Sequence, residues 1–494
     1  MSSNLKKGAL SSVILVAESI LKKLVGLVST LILARVLLPE DFGVIAIATL
    51  MIGFIDVLSS TGAQQYLMKV DQLDDNKLNT SFTINIILKG VLALLMGLSS
   101  IFIADYYNDP RLTDILLSLT VVFILNNIRN PAIDYLRREQ NYTPLVKISL
   151  LAKLTAVAVA VFSALMLGNY WALVFGQLAN SILMLFGTYL IYPYRPKFTL
   201  KNAKEQWFFS GWMIPQAVLG YFRTQLDTFM VSAAFGQTQL GSYSTMKYIA
   251  FIPSAHIILP IVQPFLVEQR KTKNAPNYFA KQFNASFILT MLIAIPITSV
   301  MFVHHGLVTQ VLLGDNWVAY SPLLGMFGLL IPAYVMSNQS MRILVIFGKT
   351  KHIFIFECIA FVLIFLALVS VGFNNIESFT LVKASVENLL SVVFLLYVAI
   401  KYTSLKNSAY LLLSFIPLSV SALIASYLSK HSSTWFENSF LNLLVASLVS
   451  FSFFYICILL FHFIIFKKLQ EWQYLEDLVL RMLLPVLRRF KYSA

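Results

Sequence analysis

Long apolar stretches alternate with short polar ones along almost the whole chain. A helix that crosses the hydrocarbon core of a bilayer needs about 20 mostly apolar residues. Stretches of that kind begin near residues 11, 43, 80, 112, 146, 170, 207, 242, 283, 320, 352, 378, 409 and 440. Because the polar stretches between them are too short for a soluble domain, the pattern predicts an all-α polytopic membrane protein with about 14 transmembrane helices.

Composition agrees with a membrane location and excludes a soluble protein. Apolar residues make up 58% of the chain and charged residues 12%, against roughly 45–50% and 25% in soluble domains. The surplus of 37 Lys and Arg over 23 Asp and Glu is typical of nucleic-acid binding. Here, however, the basic residues lie in short clusters between apolar stretches, which is a topology signal, so we expect no nucleic-acid partner.

The basic clusters predict the orientation of the chain. With the N-terminus in the cytoplasm, the inside segments hold 27 Lys and Arg, the outside segments hold three and the spans hold seven. The opposite orientation would violate the positive-inside rule at nearly every loop. We therefore predict a multi-pass membrane protein with both termini in the cytoplasm and an amphipathic cytoplasmic tail over residues 467–494.

An internal repeat is indicated by a shift of 198 residues, which aligns residues 29–43 with 227–241 without a gap. The same shift corresponds to six predicted spans. We therefore predict an N-terminal lobe over 1–200 (helices 1–6), a C-terminal lobe over 201–402 (helices 7–12), and two appended helices over 403–466.

Several predicted spans have one polar face. On a helical wheel, the polar residues of the first span lie within an arc of about 140°, those of the seventh within about 100° and those of the second within about 80°. A charge at a helix centre costs about 2.5 to 3.5 kcal/mol on insertion scales. The intramembrane charges should therefore face an interior that holds water or partners; they are Lys22, Lys23, Lys89, Lys153, Arg223, Lys247, Lys383, Glu18, Asp56, Asp227, Glu357 and Glu387.

These charges have two interpretations. Glu18 with Lys22, Arg223 with Asp227 and Lys383 with Glu387 stand at i, i+4, where ion pairs within the protein form. Cations nevertheless exceed acids by two, which favours an anionic guest, and lysine suits a phosphate that must be released. The candidates for substrate binding are Lys22, Lys89, Lys153, Arg223 and Lys247, and the candidates for polar or coupling roles are Glu18, Asp56, Asp227, Glu357, Lys383 and Glu387.

No catalytic constellation is visible in the sequence. There is no Gly-rich phosphate loop and no DxD arrangement, and no extramembrane segment is long enough for a nucleotide-binding domain. Cys358 and Cys457 lie in apolar segments and indicate neither a disulfide nor a metal site. For the adjacent His304 and His305 we favour a position at the membrane interface over a proton relay. We expect no enzymatic activity, metal or cofactor.

Three stretches carry a family resemblance. Residues 33–48 (LARVLLPEDFGVIAIA) with 60–69, residues 129–142 (RNPAIDYLRREQNY) and residues 311–327 (VLLGDNWVAYSPLLGMF) resemble, in order, polysaccharide flippases of the multidrug/oligosaccharidyl-lipid/polysaccharide exporter superfamily. The resemblance is closest to the exopolysaccharide and O-antigen branch. It implies a bilobed fold of 12 to 14 helices around a central cavity that is often cationic.

The function implied by this resemblance is translocation of an undecaprenyl-diphosphate-linked oligosaccharide by alternating access, for surface polysaccharide biosynthesis. The oligosaccharide would move from the cytoplasmic to the periplasmic leaflet of the bacterial inner membrane. Its partners would be the lipid-linked oligosaccharide, membrane lipid, and polysaccharide polymerase and chain-length proteins. The resemblance also allows coupling to H⁺ or Na⁺. The alternatives are a multidrug or cation antiporter of the same superfamily, whose cavity should favour acids, and a membrane glycan polymerase or ligase, which should need a larger outside loop.

Overall fold

The computed structural model describes residues 2–70, 73–201, 203–403 and 405–464, and the predicted amphipathic tail over 467–494 lies outside this part of the chain. Nineteen α-helices and three short 3₁₀ or π segments account for the ordered structure, with no β-strand in the ranges described. The helices are α1 (Ser2–Val36), α2 (Pro39–Leu58), α3 (Ala63–Lys69), α4 (Asp75–Tyr106), α5 (Arg111–Asn127), α6 (Ile133–Arg138), α7 (Thr143–Leu167), α8 (Trp171–Ile191), α9 (Ala203–Ala234), α10 (Gln237–Pro253), α11 (Leu259–Thr272), α12 (Pro276–Val303), α13 (His305–Leu313), α14 (Ser321–Gly328), α15 (Leu330–Ile346), α16 (Thr350–Val371), α17 (Ile376–Tyr402), α18 (Leu405–Lys430) and α19 (Ser439–Ile464).

Eleven helical segments of the described chain are long and apolar enough to cross a membrane. Three further helices occupy positions of predicted spans: α5 has only 17 residues, while α1 and α9 carry charged side chains, among them Lys22 and Arg223. The predicted all-α polytopic membrane fold is therefore confirmed. The count of fourteen spans stays a prediction.

Local chemistry determines where several helices begin and end. Asp74 precedes α4, and its carboxylate accepts a hydrogen bond of 2.8 Å from the backbone N–H of Lys77, which satisfies one of the unpaired donors of the first turn. Asn375 caps α17 in the same way through Glu377. At the other end of a helix, α7 stops at Gly168, whose φ of +62 is strained for residues with a side chain.

The 198-residue repeat is visible in the helix bounds. Helix α1 ends at Val36 and α2 begins at Pro39, whereas α9 ends at Ala234 and α10 begins at Gln237. The shift of 198 residues relates the end of α1 to the end of α9 and the beginning of α2 to the beginning of α10. Two helix–turn–helix junctions of equal construction therefore occur in the chain.

The first turns of α2 and α10 also contact one another reciprocally. A Cβ atom on Gly43 would lie 1.9 Å from the backbone oxygen of Gln237, and one on Gly241 would lie 1.8 Å from that of Pro39. Gly43 and Gly241 are equivalent in the repeat, as are Pro39 and Gln237. Each repeat thus contacts the other through the same pair of equivalent positions, which is the signature of local two-fold symmetry.

Contacts divide the chain into two compact units, Met1–Ser244 and Thr245–Ala494. In the first unit α7 packs along α8 and α1, α4 packs along α5, and α2 packs on α5 and α9. These units differ from the two repeats, because α9 and the start of α10 belong to the second repeat but group here with the N-terminal helices. The predicted lobes of 1–200 and 201–402, and the chamber expected between them, stay a prediction.

Helix α12 lies at the centre of the second unit. It packs against α11, α14, α15 and α18, and it buries Phe279, Phe283 and Phe287 in an apolar cluster of this unit. Helix α16, by contrast, leaves large apolar side chains such as Phe354 and Leu366 exposed. Exposed apolar surface of this kind on a spanning helix suits contact with lipid chains.

Candidate functional site

A polar cavity of about 340 Å³ lies inside the first unit, among helices α1, α5, α7 and α8. Its lining combines hydroxyl and amide side chains, one ammonium group and aliphatic groups. The lining residues are Gly26, Ser29, Thr30, Leu33, Val122, Asn126, Lys153, Ala156, Val157, Ala160, Leu173, Gly176, Gln177, Asn180 and Ser181.

Helical geometry explains why these residues meet. Each helix supplies lining positions three or four residues apart, such as Gly26, Ser29 and Thr30 on α1, so that all point to one side. Small residues bring α7 and α8 close together: a Cβ atom on Gly176 would lie 2.9 Å from the Cβ of Ala160. The two helices that line one side of the cavity are therefore tightly packed against each other.

Lys153 contributes the positive charge of the cavity. Its ammonium nitrogen lies against α1, 3.6 Å from where a Cβ atom of Gly26 would be, so the absent side chain of Gly26 leaves it room. Among the residues that the structure describes, Lys153 has neither an ion pair nor a hydrogen-bond partner. The side chain is half-buried, so the charge faces the cavity.

Lys22 lies near Lys153 but is neutralised. Its Nζ is 2.7 Å from Glu18 Oε1, and Glu18 also accepts a hydrogen bond from the Ser149 hydroxyl of α7. The predicted i, i+4 pair is thus present and is tied to the neighbouring helix. Lys23, one position further, is exposed.

Lys89 of α4 is held by a different set of partners, which lie on α5 and α2. It donates a 2.6 Å hydrogen bond to Asn127 Oδ1, lies 3.8 Å from Asp56 Oδ1, and sits 5.7 Å from the ring centroid of Phe123. The Asp56 side chain is 65% exposed. Lys89 is therefore partly compensated and packed against an aromatic face.

The polar face of α9 also makes contacts within the first unit. Asp227 is buried and accepts a 2.6 Å hydrogen bond from the Tyr243 hydroxyl. Arg223 is half-buried and has interaction partners. Close by on α9, the Tyr221 hydroxyl donates a 2.6 Å hydrogen bond to the backbone oxygen of Leu50, which joins α9 to α2.

The remaining candidates belong to the second unit and do not line the cavity. Lys383, 6% exposed, is paired with Glu387 at 2.7 Å, which is the predicted i, i+4 pair on α17. Lys247 and Glu357 are half-buried and have interaction partners. A joint role of all five cationic candidates in one site therefore stays a prediction.

Four cavity residues were missed by sequence reasoning: Asn126, Gln177, Asn180 and Ser181. A signal for three of them exists, because Gln177, Asn180 and Ser181 follow a helical spacing in the otherwise apolar span α8. Helix α8 carries no charged residue, and the candidate site residues were selected by their charge, so the polar face of α8 was not among them. Asn126 has no such pattern around it.

An ion cluster at the start of α5 was also missed. Arg111 is bonded to Asp109, Glu40 and Gln237, with 2.8 Å to Asp109 Oδ2, 2.5 Å to Glu40 Oε1 and 3.0 Å to Gln237 Oε1. Burial disfavours ionisation of Asp109, but the hydrogen bonds and charge of Arg111 outweigh it and hold the pKa of Asp109 below its usual value. Arg111 thus joins α5 to the first turns of α2 and α10.

The two adjacent histidines are packed against neighbouring helices. His304 is 4% exposed and hydrogen-bonded to the Ser429 hydroxyl at 2.9 Å, and His305 contacts the Ser321 hydroxyl at 2.9 Å. Both contacts fasten the junction between α12 and α13, and the interfacial position of the pair stays a prediction. Cys358 and Cys457 are free thiols, and no group of metal-ligating side chains is present in the described ranges.

Known proteins resemble this chain in both sequence and fold. It is 23% identical over 331 residues to the lipopolysaccharide biosynthesis protein WzxC of Escherichia coli (strain K12), covering 65% of each protein. It is 21% identical over 300 residues to the succinoglycan biosynthesis transport protein ExoT of Rhizobium meliloti (strain 1021), covering 60% of this chain and 61% of that one. The matches thus span less than two thirds of either relative.

Two solved structures share the fold. The lipid II flippase MurJ in an inward closed conformation matches with a TM-score of 0.74 and 16% identity, covering 92% of this chain and 99% of that one. A multidrug resistance MATE family transporter of the MOP superfamily, in its inward-facing conformation, matches with a TM-score of 0.55 and 11% identity over 78% of this chain and 95% of that one.

One family match extends from the end of α1 to the beginning of α14 and overlaps all three stretches on which the resemblance was based. It covers residues 32–322, which is more than half of the chain, under the description polysaccharide biosynthesis protein. This match and the relatives confirm the predicted family, and the chain belongs to the polysaccharide biosynthesis protein family.

Proposed function

We propose that this membrane protein moves a lipid-linked oligosaccharide, carried on undecaprenyl diphosphate, from the cytoplasmic to the periplasmic leaflet of the bacterial inner membrane. The observation that carries the proposal is the polar cavity around Lys153 inside a membrane-spanning unit. Relatives named for lipopolysaccharide and succinoglycan biosynthesis and a fold shared with a lipid II flippase support the same function.

A lysine and several amide and hydroxyl groups within a membrane-spanning unit are unfavourable unless they meet water or a polar ligand. A hydrophilic head group crossing the bilayer needs polar partners on its way, whereas its lipid tail can stay in the hydrocarbon. Intramembrane polar groups of this kind are therefore expected in a flippase.

The central experiment measures flipping of a lipid-linked oligosaccharide in liposomes by K22A, K89A, K153A, R223A and K247A variants. We expect K153A to reduce the rate most, by about tenfold or more, because loss of one charge-assisted hydrogen bond corresponds to roughly 1.5 to 3 kcal/mol and about 1.4 kcal/mol is a factor of ten. K147A is the matched control, since Lys147 lies on the same helix, exposed and outside the cavity. Wild-type rates in all five variants would overturn the cationic site, and failure of the wild-type protein to flip would overturn the function.

Directional transport also needs a source of energy. Directional flipping would draw on an H⁺ or Na⁺ gradient, or on consumption of the product outside by a polysaccharide polymerase and chain-length proteins. Liposomes with an imposed Na⁺ gradient, an imposed pH gradient or neither separate these cases. We expect accumulation above equal leaflet occupancy only with the coupling gradient, and equilibration in all three would point to consumption of the product.

The rival functions predict different phenotypes for loss of the gene. Loss of a flippase delivers no repeat units to the cell surface, whereas loss of a polymerase leaves single units delivered. Loss of a multidrug antiporter raises drug susceptibility and leaves the polysaccharide intact. Analysis of polymer length together with a drug-susceptibility screen therefore distinguishes a non-enzymatic flippase from both rivals.

A further inference from the structure

We propose that the cavity around Lys153 is a subsite for one acidic sugar residue of the transported glycan, such as a hexuronate, and does not bind the diphosphate. This inference rests on the proposed function and specifies which part of the substrate the cavity receives. It implies that the transporter prefers glycans that bear a carboxylate.

The charge of the cavity decides between carboxylate and diphosphate. Lys153 is the one cation among the described lining residues, and the nearby charge of Lys22 is neutralised by Glu18 at 2.7 Å. A diphosphate diester carries about two negative charges, and a buried charge without a partner is strongly unfavourable. One ammonium matches one carboxylate.

The uncharged lining groups match a sugar ring. They supply hydroxyls and amides, which donate and accept hydrogen bonds as sugar hydroxyls do. The amides of Gln177 and Asn180 have no hydrogen-bond partner within the described part of the chain. Such groups in a membrane-spanning unit are available to a polar guest, which would replace the water that otherwise satisfies them. The polar lining groups are those of Ser29, Thr30, Asn126, Gln177, Asn180 and Ser181.

The size and shape of the cavity agree with one sugar unit. Its volume of about 340 Å³ falls at the lower end of small-molecule sites, which span about 300 to 1,000 Å³. The aliphatic side chains of Leu33, Val122 and Leu173 offer a surface for the C–H face of the ring. An inorganic anion would use the ammonium group and leave most of the amides unpaired.

The first experiment measures binding of soluble probes to the purified protein in nanodiscs by calorimetry. We expect D-glucuronate to bind about tenfold more tightly than D-glucose, which corresponds to about 1.4 kcal/mol for one added ionic contact. The K153Q variant should bind the two sugars equally, and the control K147Q should keep the preference. Equal binding of the two sugars by the wild-type protein, or binding of inorganic phosphate as tight as that of glucuronate, would overturn the subsite.

A second pair of variants tests the cavity with Lys153 intact. The G26L variant places a side chain in the cavity, whereas G90L adds the same side chain on exposed α4, where a Cβ atom would meet nothing within 4 Å. We expect G26L to lose glucuronate binding and G90L to retain it. Retained binding in folded G26L would place the sugar elsewhere and contradict the inference.

The transport experiment separates failure of this inference from failure of the proposed function. The substrates are a lipid-linked oligosaccharide that contains a hexuronate and the same molecule with the carboxylate reduced to the alcohol. At low concentration we expect about tenfold faster flipping of the acidic form by the wild-type protein and no difference in K153Q. Equal flipping of both forms by the wild-type protein would overturn the subsite while the function stands; if neither is flipped, the function fails and the binding experiment alone decides the subsite.

Discussion

Three lysines of the first unit have different surroundings because their neighbours differ. Lys22 is paired with Glu18, and Lys89 is bonded to Asn127 beside Asp56. Lys153 instead faces a cavity of amides and hydroxyls. Within the described chain, two of these equal formal charges therefore have protein partners, and the third faces a cavity.

The ion pair of Asp109 with Arg111 should contribute to the stability of the protein. Asp109 is 5% exposed, so an R111Q variant would leave a buried carboxylate without its cation. We expect this variant to lose about 1 to 3 kcal/mol of unfolding free energy, measured by thermal unfolding in detergent. The double variant with D109N should recover part of the loss, and an unchanged melting temperature in R111Q would contradict the cluster's structural role.

The lowered pKa of Asp109 also predicts a dependence on pH. Because the folded pKa lies below the unfolded value of about 3.9, the pair stabilises the protein fully at neutral pH and less as the pH falls below about 4. The melting temperature of the wild-type protein should therefore drop more between about pH 5 and pH 3.5 than that of D109N. An equal fall in melting temperature in the two proteins would show that Asp109 does not contribute to the pH dependence of stability.

Helix α2 and helix α10 approach each other at their first turns more closely than side chains would permit. In a G43A variant the added carbon would lie 1.9 Å from a backbone oxygen, and backbone cannot rotate away as a side chain does. We expect a loss of about 3 kcal/mol, at the upper end of the usual overpacking cost. G241A should behave alike, since it makes the reciprocal contact at 1.8 Å.

A glycine in open surroundings is the matched control for this prediction. Gly90 lies inside α4 with nothing within 4 Å of its added carbon, so G90A should be neutral or gain up to about 1 kcal/mol from helix propensity. Thermal unfolding of the three variants side by side measures both effects. Wild-type stability of G43A would show that the first turns of α2 and α10 separate easily.

The distribution of Lys and Arg along the chain predicts which loops face the cytoplasm. In a background lacking Cys358 and Cys457, K273C introduces a thiol in the exposed α11–α12 loop, and N316C introduces one in the exposed segment between α13 and α14. We expect a membrane-impermeant maleimide to label N316C in spheroplasts and K273C only after lysis. The reverse pattern would invert the proposed orientation.

The family and the membrane fold could be predicted from sequence because both depend on local signals. Apolar stretches of spanning length form helices in any bilayer, and the i, i+4 spacing of Glu18 with Lys22 and of Lys383 with Glu387 brings each pair together within one helix. The turns between α1 and α2 and between α9 and α10 repeat after 198 residues. None of these features requires knowledge of which helices are neighbours.

The membrane location of the protein, its helices, its family and the positions of its charges along the chain therefore followed from the sequence alone. Only the tertiary structure decided which lysine faces a cavity, because Lys153 on α7 meets Gly26 of α1 and shares the cavity with Gln177 of α8. Which helices are neighbours depends on where small residues allow a close approach, and Gly176 of α8 allows such an approach to Ala160 of α7. That packing is a property of several helices together, so no periodicity within a single helix contains it.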